Sequence, residues 1–238
     1  MTVSVVIPTL NEVKNIKQIL SEMPSIVGEV IFVDGHSKDG TQDVIKETKA
    51  KLIVQKSKGF GGAFMEGAKA AKGDIIVMMD ADGSHNPADI PKLVDKVKEG
   101  HDCAFASRYT MHSYSEDDTI LRSFGNWLIT KLTNILFNMR TTDSLFMYAA
   151  FKKPAYEHLK MKSNGFEFCI EAITKAYIKG LKVAEVPSIE RKRFAGETKV
   201  NDFRDGYKLI KCIFVWRIKL GRIMAKRRKI RRNARRRK

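Results

Sequence analysis

The chain has 238 residues, 43% of them hydrophobic, enough to bury a substantial core in one large domain; this excludes a disordered protein and a mini-scaffold. Lys and Arg number 44 against 27 Asp and Glu, a net charge of +17, yet residues 217–238 hold 13 basic residues and no acid, leaving the body at only +4. That asymmetry excludes a body built throughout to wrap nucleic acid and puts the excess on a C-terminal appendage. Cys103, Cys169 and Cys212 form no CxxC pair and have no His at metal-ligand spacing, so a reducing cytoplasmic setting is expected, without disulfides or zinc. The N-terminal stretch lacks the pattern of a secretory signal.

Four nearly continuous apolar runs, Val3 to Ile7, Val30 to Val33, Leu52 to Val54 and Ile75 to Met79, have the character of buried parallel strands. Helical spacing lies between them. Ile16, Ile19, Leu20 and Met23 share one face, Val44, Ile45 and Thr48 a second, and Ala63, Gly67, Ala70 and Ala71 a third. A further helix is punctuated by Asn86 as cap, Pro87 in its first turn and Gly100 as stop. Cys103 to Ala106 follows as another strand. This alternation predicts an open, mostly parallel α/β sheet with helices on both faces and chemistry beyond the carboxyl ends of the strands. From about Thr110 the alternation stops. A broad apolar helix face from Leu121 to Leu136, a helix near Glu167 to Ile178 and a strand around Lys182 to Val186 make an expected second half.

Those strand ends deliver polar residues regularly: Pro8 to Glu12 after the first, Asp34 after the second, and Asp80-Ala81-Asp82 after the fourth. Two carboxylates at i and i+2 past a strand suit one hard divalent cation whose octahedron substrate phosphates complete. A lone pair of this kind is more often turn chemistry; its placement, with Glu12 and Asp34 aimed at the same edge, favours the metal. Lys58-Gly59-Phe60-Gly61-Gly62-Ala63 opens a helix after the third strand, and is either an anion cradle or a turn that needs glycine. It matches neither GxGxxG nor the Walker pattern. Cations for the far side of a leaving diphosphate stand at Arg108, Arg122 and in the loop Arg191 to Lys199. No GxSxG elbow or HExxH motif is present, and His85, beside the acidic pair, reads as supporting it rather than as a ligand.

Together, Ser4 to Glu12, Val33 to Thr41, Lys58 to Gly61, Gly73-Asp74 and Asp80 to Pro87 resemble the inverting family 2 glycosyltransferases with a GT-A fold. Ser107-Arg108-Tyr109, Gly165 to Phe168 with Ile170-Glu171, and Glu185-Val186-Pro187 followed by Arg193 and Gly196 to Lys199 are similar to the dolichol-phosphate mannose synthase branch. The resemblance spans about residues 2–200. It implies that Pro8, Asn11, Glu12, Asp34 and Asp39 line a nucleotide site, with Lys58, Gly61 and Ala81 beside it. It further implies that Asp80 and Asp82, with Ser84, hold Mg2+ or Mn2+, that Arg108 and Arg122 grip an acceptor phosphate, and that Arg193 and Lys199 close over the donor phosphates. Ser84 stands where the family often has Gln, and Thr142 to Tyr148 represents the family's acceptor-side stretch only loosely. The implied reaction moves a hexose, mannose from GDP-mannose, to a polyprenyl or dolichyl phosphate. With a second pKa of about 6, that nucleophile is already ionised and needs no strong base.

The expected organisation is a GT-A domain at 1–200, split into a nucleotide and metal half at 1–109 and an acceptor half at 110–200, followed by a segment at 201–238. From Tyr207 to Met224, Leu209, Ile210, Ile213, Phe214, Trp216, Leu220 and Ile223 alternate with cations at helical spacing. No 18-residue uncharged stretch occurs, so an amphipathic basic helix lying on the cytoplasmic face of an anionic membrane is expected, without a spanning helix, and a separate membrane anchor subunit remains open. Two alternatives also stay open: a glycosyltransferase using UDP-glucose or a saccharide acceptor, and a non-enzymatic nucleic-acid binder acting through the Arg-rich tail. The second is not expected, because no aromatic residue interleaves the tail cations for base stacking.

Overall fold

The computed structural model describes residues 1–116, 118–194 and 206–218. Its centre is a seven-stranded sheet in the order β3-β2-β1-β4-β7-β5-β8. The strands are β1 (Val3–Thr9), β2 (Val27–Asp34), β3 (Lys51–Val54), β4 (Ile75–Met78), β5 (Cys103–Ser107), β7 (Ala149–Lys152) and β8 (Val183–Pro187). A two-stranded parallel pair, β6 (Tyr114–Ser115) with β9 (Ile189–Glu190), stands apart from it. Helices α1 (Ile16–Ser21), α2 (Thr41–Lys46), α3 (Gly59–Ala70), α4 (Ile90–Lys98), α5 (Ile120–Phe137), α6 (Lys153–Leu159) and α7 (Phe168–Ile178) join the strands, and α8 covers 206–218.

Because successive strand residues point to opposite faces, the near-continuous apolar runs split by parity. Val6, Ile31, Val33, Ile76 and Met78 meet α3, α5, α7 and α8 on one face; Val5, Ile7, Phe32, Ile75 and Val77 meet α1 and α4 on the other. The α4 punctuation holds: Asn86 accepts the Ala88 N–H at 3.1 Å and Pro87 opens a 3-10 turn before the helix.

Two features depart from the sequence reading. First, β7 and the short helix α6 were not expected. β7 runs antiparallel between β4 and β5, pairing Ile76 with Phe151 and Ala104 with Ala150, so the halves drawn at residue 110 share one sheet. Second, α8 is rooted in the catalytic body, with Leu209 and Ile213 at 4% and 0% exposure in the same cluster as Ile129 and Phe137. Residues 219–238, which carry most of the expected membrane segment, lie outside the described residues, as does Lys199. No helix among the described residues is long and apolar enough to cross a membrane.

Candidate active site

One cavity of about 580 Å³ lies beyond the carboxyl ends of β1, β2 and β4. Pro8, Leu10, Glu12, Gly35 and Gln55 line one end, Asp80, Ala81, Asp82 and Ser84 its middle, and Arg108, Arg122, Asn126, Phe146 and Met147 the other.

The middle is short of positive charge. Asp80 Oδ1 is sealed from solvent and has no hydrogen-bond partner among the described residues, although the side chain as a whole keeps 30% of its surface. Burial, then Asp82, Glu190 and Glu12, push the Asp80 carboxyl well above its usual range, with Arg193 pulling the other way. An orphaned, electron-rich oxygen beside a second carboxylate is a donor set that fits a hard divalent cation. Among the described residues no third His, Cys, Asp or Glu joins them, so a cation here would draw on Ser84, water and ligand oxygens. His85 is not placed as a ligand. Its Nδ1 accepts the Asp80 N–H at 3.1 Å, and its ring stacks on Tyr148 at 4.8 Å and meets Phe146 edge-on at 4.5 Å. Burial, chiefly, with Arg108 and Arg193 adding to it, drives its pKa down to about 3, so the imidazole is neutral and braces the loop.

A strap following β9 lies over this loop. Arg191 N donates to Ser84 O and Phe194 N to Asp82 O, both at 2.9 Å. Arg193 Nη1 lies 3.4 Å from Asp82 Oδ2, and Arg191 is tied at 2.8 Å to Glu22, the residue that ends α1 as its C-cap. Gly83, at φ +85°, lets the Phe194 ring come so close that a Cβ would sit 2.3 Å from it.

At the end bordered by Pro8 and Glu12, the residues expected to line a nucleotide site divide. Pro8, Glu12 and Ala81 line the cavity; Asn11, Asp34, Asp39, Lys58 and Gly61 do not. Asp34 is fully buried, and its carboxylate accepts from Thr9 Oγ1, Ser37 N, Ser37 Oγ and Gln42 Nε2. Asp39 caps α2 through Thr41 N and also accepts Val13 N, while Asn11 accepts Lys38 N. These carboxylates spend their lone pairs on the turns that shape the rim, the Asx-type chemistry that competes with ligand binding. The glycine loop resolves the same way. Gly61 N and Gly62 N donate to Asn164 O at 2.8 and 3.2 Å, so those amides are not available to an anion. A Cβ on Gly61 would lie 2.3 Å from Ser163 O: close backbone approach is what this glycine serves.

At the far end Arg108 is 7% exposed and commits three of its five N–H groups. Nε and Nη2 donate to the two oxygens of Asp143 at 2.7 and 3.1 Å, and Nη1 donates to Glu190 at 3.2 Å, with Asp118 3.9 Å away. Burial works against its charge, but Asp143 and Glu190 outweigh it and hold the guanidinium firmly protonated. Arg122 reaches the cavity from the first turns of α5, where Thr119 caps by accepting the Arg122 N–H at 3.3 Å. Asn126, one turn on, donates to Tyr109 Oη at 3.0 Å, which itself donates to Asp118 at 2.6 Å. Sequence reasoning missed Asp118, Asn126, Glu190 and the pairing of Asp143 with Arg108. Only Asn126 had a local signal, its i+4 spacing from Arg122.

A mostly parallel sheet with its cleft beyond carboxylate-bearing strand ends is compatible with a GT-A type fold, and the comparisons agree. The model for Glycosyl transferase family 2 matches residues 4–160, and the chain belongs to that family. It is 32% identical over 222 residues to the low-salt glycan biosynthesis hexosyltransferase Agl6 of Haloferax volcanii, covering 90% of this chain and 53% of that protein. To the dolichol-phosphate mannosyltransferase of Pyrococcus furiosus it is 31% identical over 247 residues, covering 94% and 67%. The chain thus spans about half to two thirds of the length of these two relatives. Glucosyl-3-phosphoglycerate synthase from Mycobacterium tuberculosis, solved with Mn2+, UDP and glucosyl-3-phosphoglycerate, shares the fold at a TM-score of 0.69 and 22% identity, covering 91% of this chain and 79% of that one.

Proposed function

We infer that the protein transfers a hexosyl group, mannose from GDP-mannose, to a polyprenyl or dolichyl phosphate with inversion at the anomeric carbon. The observation that carries the reading is a single cavity with a carboxylate pair at its middle and Arg108 and Arg122 at the end away from the nucleotide rim. The relative named as a dolichol-phosphate mannosyltransferase supports the acceptor, and the Mn2+ and UDP in the structural neighbour support a metal-assisted sugar-nucleotide donor.

Mg2+ or Mn2+ held by Asp80 and Asp82, with Ser84 at hand, would neutralise the donor diphosphate as it leaves. The chain's own residues do the rest. Pro8 and Glu12 border the nucleoside, and Arg193 faces the diphosphate from the strap. Arg122 aligns the acceptor phosphate, whose oxygen attacks the anomeric carbon while the bond from that carbon to the diphosphate oxygen breaks and its electron pair leaves with the nucleoside diphosphate. Arg108 fixes Asp143, Glu190 and the wall they belong to through three of its N–H groups, and a direct contact with the phosphate would use a remaining Nη hydrogen. Lys199 is proposed on sequence alone. Residues 1–200 carry the transfer, and 219–238 place it against the anionic cytoplasmic face of a membrane. Proton NMR of the lipid product made from GDP-α-mannose is expected to show a β linkage. An α linkage, or free mannose without lipid product, would overturn the reading.

A further inference from the structure

At the Pro8 end of the cavity stands a polar side chain that neither the sequence pattern nor the family resemblance singles out. Gln55 directly follows β3, is only 7% exposed, and lines the cavity together with Gly35. Its backbone is clamped: the N–H donates to Asp34 O at 2.8 Å, and the carbonyl oxygen lies 2.9 Å from His36 Nε2. Its amide is oriented as well. Nε2 donates to Gly59 O at 2.8 Å and, more weakly, to Ser57 Oγ at 3.3 Å. Because a carbonyl oxygen can only accept, the amide nitrogen must face Gly59 and the amide oxygen must face away from it. That oxygen, Oε1, accepts no hydrogen bond among the described residues, and unlike Asp80 Oδ1 it is not sealed from solvent. A Cβ on Gly35 would come within 3.3 Å of Oε1, so the glycine keeps the approach to this acceptor open.

Position decides what this oxygen can read. In the strand order β3-β2-β1-β4, Gln55 stands three strands from Asp80, roughly 14 Å at the usual spacing, which is the reach of an extended nucleoside diphosphate whose phosphates sit at Asp80 and Asp82. The carboxylates and hydroxyl along that path have other work. Asp34 and Asp39 hold turns, and Thr9 donates to Asp34 at 3.2 Å. Glu12 accepts from Asn15 at 2.7 Å and is close enough to Asp80 to help push its carboxyl up, so it serves the part of a ligand next to the phosphates. Gln55 serves the part farthest from them. We propose that Gln55 Oε1 accepts the ring N–H of a lactam nucleobase, N1–H of guanine or N3–H of uracil, and so sets the class of base the site admits. This rests on, and deepens, the reading of a sugar-nucleotide donor. A largely buried carbonyl oxygen needs a donor, and adenine and cytosine present a lone pair at the corresponding ring nitrogen, leaving Oε1 against a second acceptor. The amide cannot turn over to suit them, because that would set Oε1 against Gly59 O.

The test titrates the full chain calorimetrically with nucleoside diphosphates in the presence of Mn2+. GDP is expected to bind about tenfold more tightly than 2-aminopurine riboside diphosphate, which lacks the ring N–H and adds no bulk, while inosine diphosphate, which keeps that N–H, binds like GDP. UDP against CDP is the pyrimidine arm, with UDP expected to bind more tightly. In Gln55→Met the preference for GDP over the 2-aminopurine analogue should shrink to within about twofold, through a loss for GDP, with circular dichroism checking that the variant is folded. A Gln55 that only shapes the glycine loop would weaken every diphosphate alike and leave the ratios unchanged, and that result would overturn the proposal. So would equal affinities of the parent protein for GDP and the 2-aminopurine analogue and for UDP and CDP, a result that needs no variant. Transfer from GDP-mannose, measured in parallel, separates the two readings: lipid-linked product with unchanged ratios overturns the base reading alone, whereas no binding of any diphosphate overturns it together with the proposed donor.

Discussion

Asp143→Ala is expected to destabilise the fold by about 3–5 kcal/mol, the cost of breaking a buried ion pair from one side. The Asp143 side chain has no exposed surface, and it holds two donors of a guanidinium that is itself 7% exposed. It also accepts the Leu145 N–H at 3.1 Å, which fixes the start of the cavity wall at Leu145 to Met147. Glu190 stays on Nη1 at 3.2 Å, which argues for the lower half of the range. In a chain of this size about 1 kcal/mol moves Tm by roughly 2–4 °C, so a fall of roughly 6–20 °C is expected in thermal unfolding followed by circular dichroism. Asp143→Leu combined with Arg108→Met and Glu190→Gln removes the three charges together and should recover most of the loss, because a buried ionic group contributes little beyond uncharged replacements of similar volume. A loss below about 1 kcal/mol for Asp143→Ala, or a triple variant no more stable than the single one, would refute the claim that Arg108 depends on Asp143.

Asp82→Asn is expected to abolish sugar transfer while leaving the circular dichroism spectrum unchanged, and a chelator should silence the parent protein reversibly. Full turnover in excess chelator would count against the metal. Arg122→Ala should weaken use of the lipid phosphate by roughly 1.5–3 kcal/mol, the range for hydrogen bonds to charged groups, with little effect on sugar-nucleotide affinity by calorimetry; equal losses for both substrates would place Arg122 elsewhere. Gly67→Ala should cost about 1–3 kcal/mol in urea unfolding, because its Cβ would lie 2.2 Å from Val6 Cγ1 and 3.0 Å from Val33 Cγ2, between α3 and the sheet. Neutral stability would mean that the helix stands off further than described.

The parallel strands were legible because a strand buried on both faces needs no alternation: Val3 to Ile7 and Ile75 to Met79 say so by themselves. β7 was not, since Tyr148-Ala149-Ala150-Phe151 continues an apolar stretch with no turn signal, and its insertion between β4 and β5 is a long-range choice that no local pattern encodes. At the site, the i, i+2 spacing of Asp80 and Asp82 predicted two residues that the cavity does bring together. The same logic applied to Asp34 and Asp39 could not tell a carboxylate facing a ligand from one holding a turn, because both kinds follow a strand and precede a helix. Arg108 and Asp143 are 35 residues apart, and their pairing exists only because β7 returns the chain beside β5. The Leu121 to Leu136 helix was read as strongly apolar, but which arc of it faces water was decided by packing.

The central claim is tested most directly by incubating the purified full chain with polyprenyl phosphate, Mg2+ or Mn2+, and labelled GDP-mannose, with labelled UDP-glucose in a parallel arm. Label is expected in the lipid phase from GDP-mannose, dependent on the divalent ion and lost with Asp82→Asn. No lipid-linked label from either donor, alongside transfer to a soluble saccharide, would contradict the account.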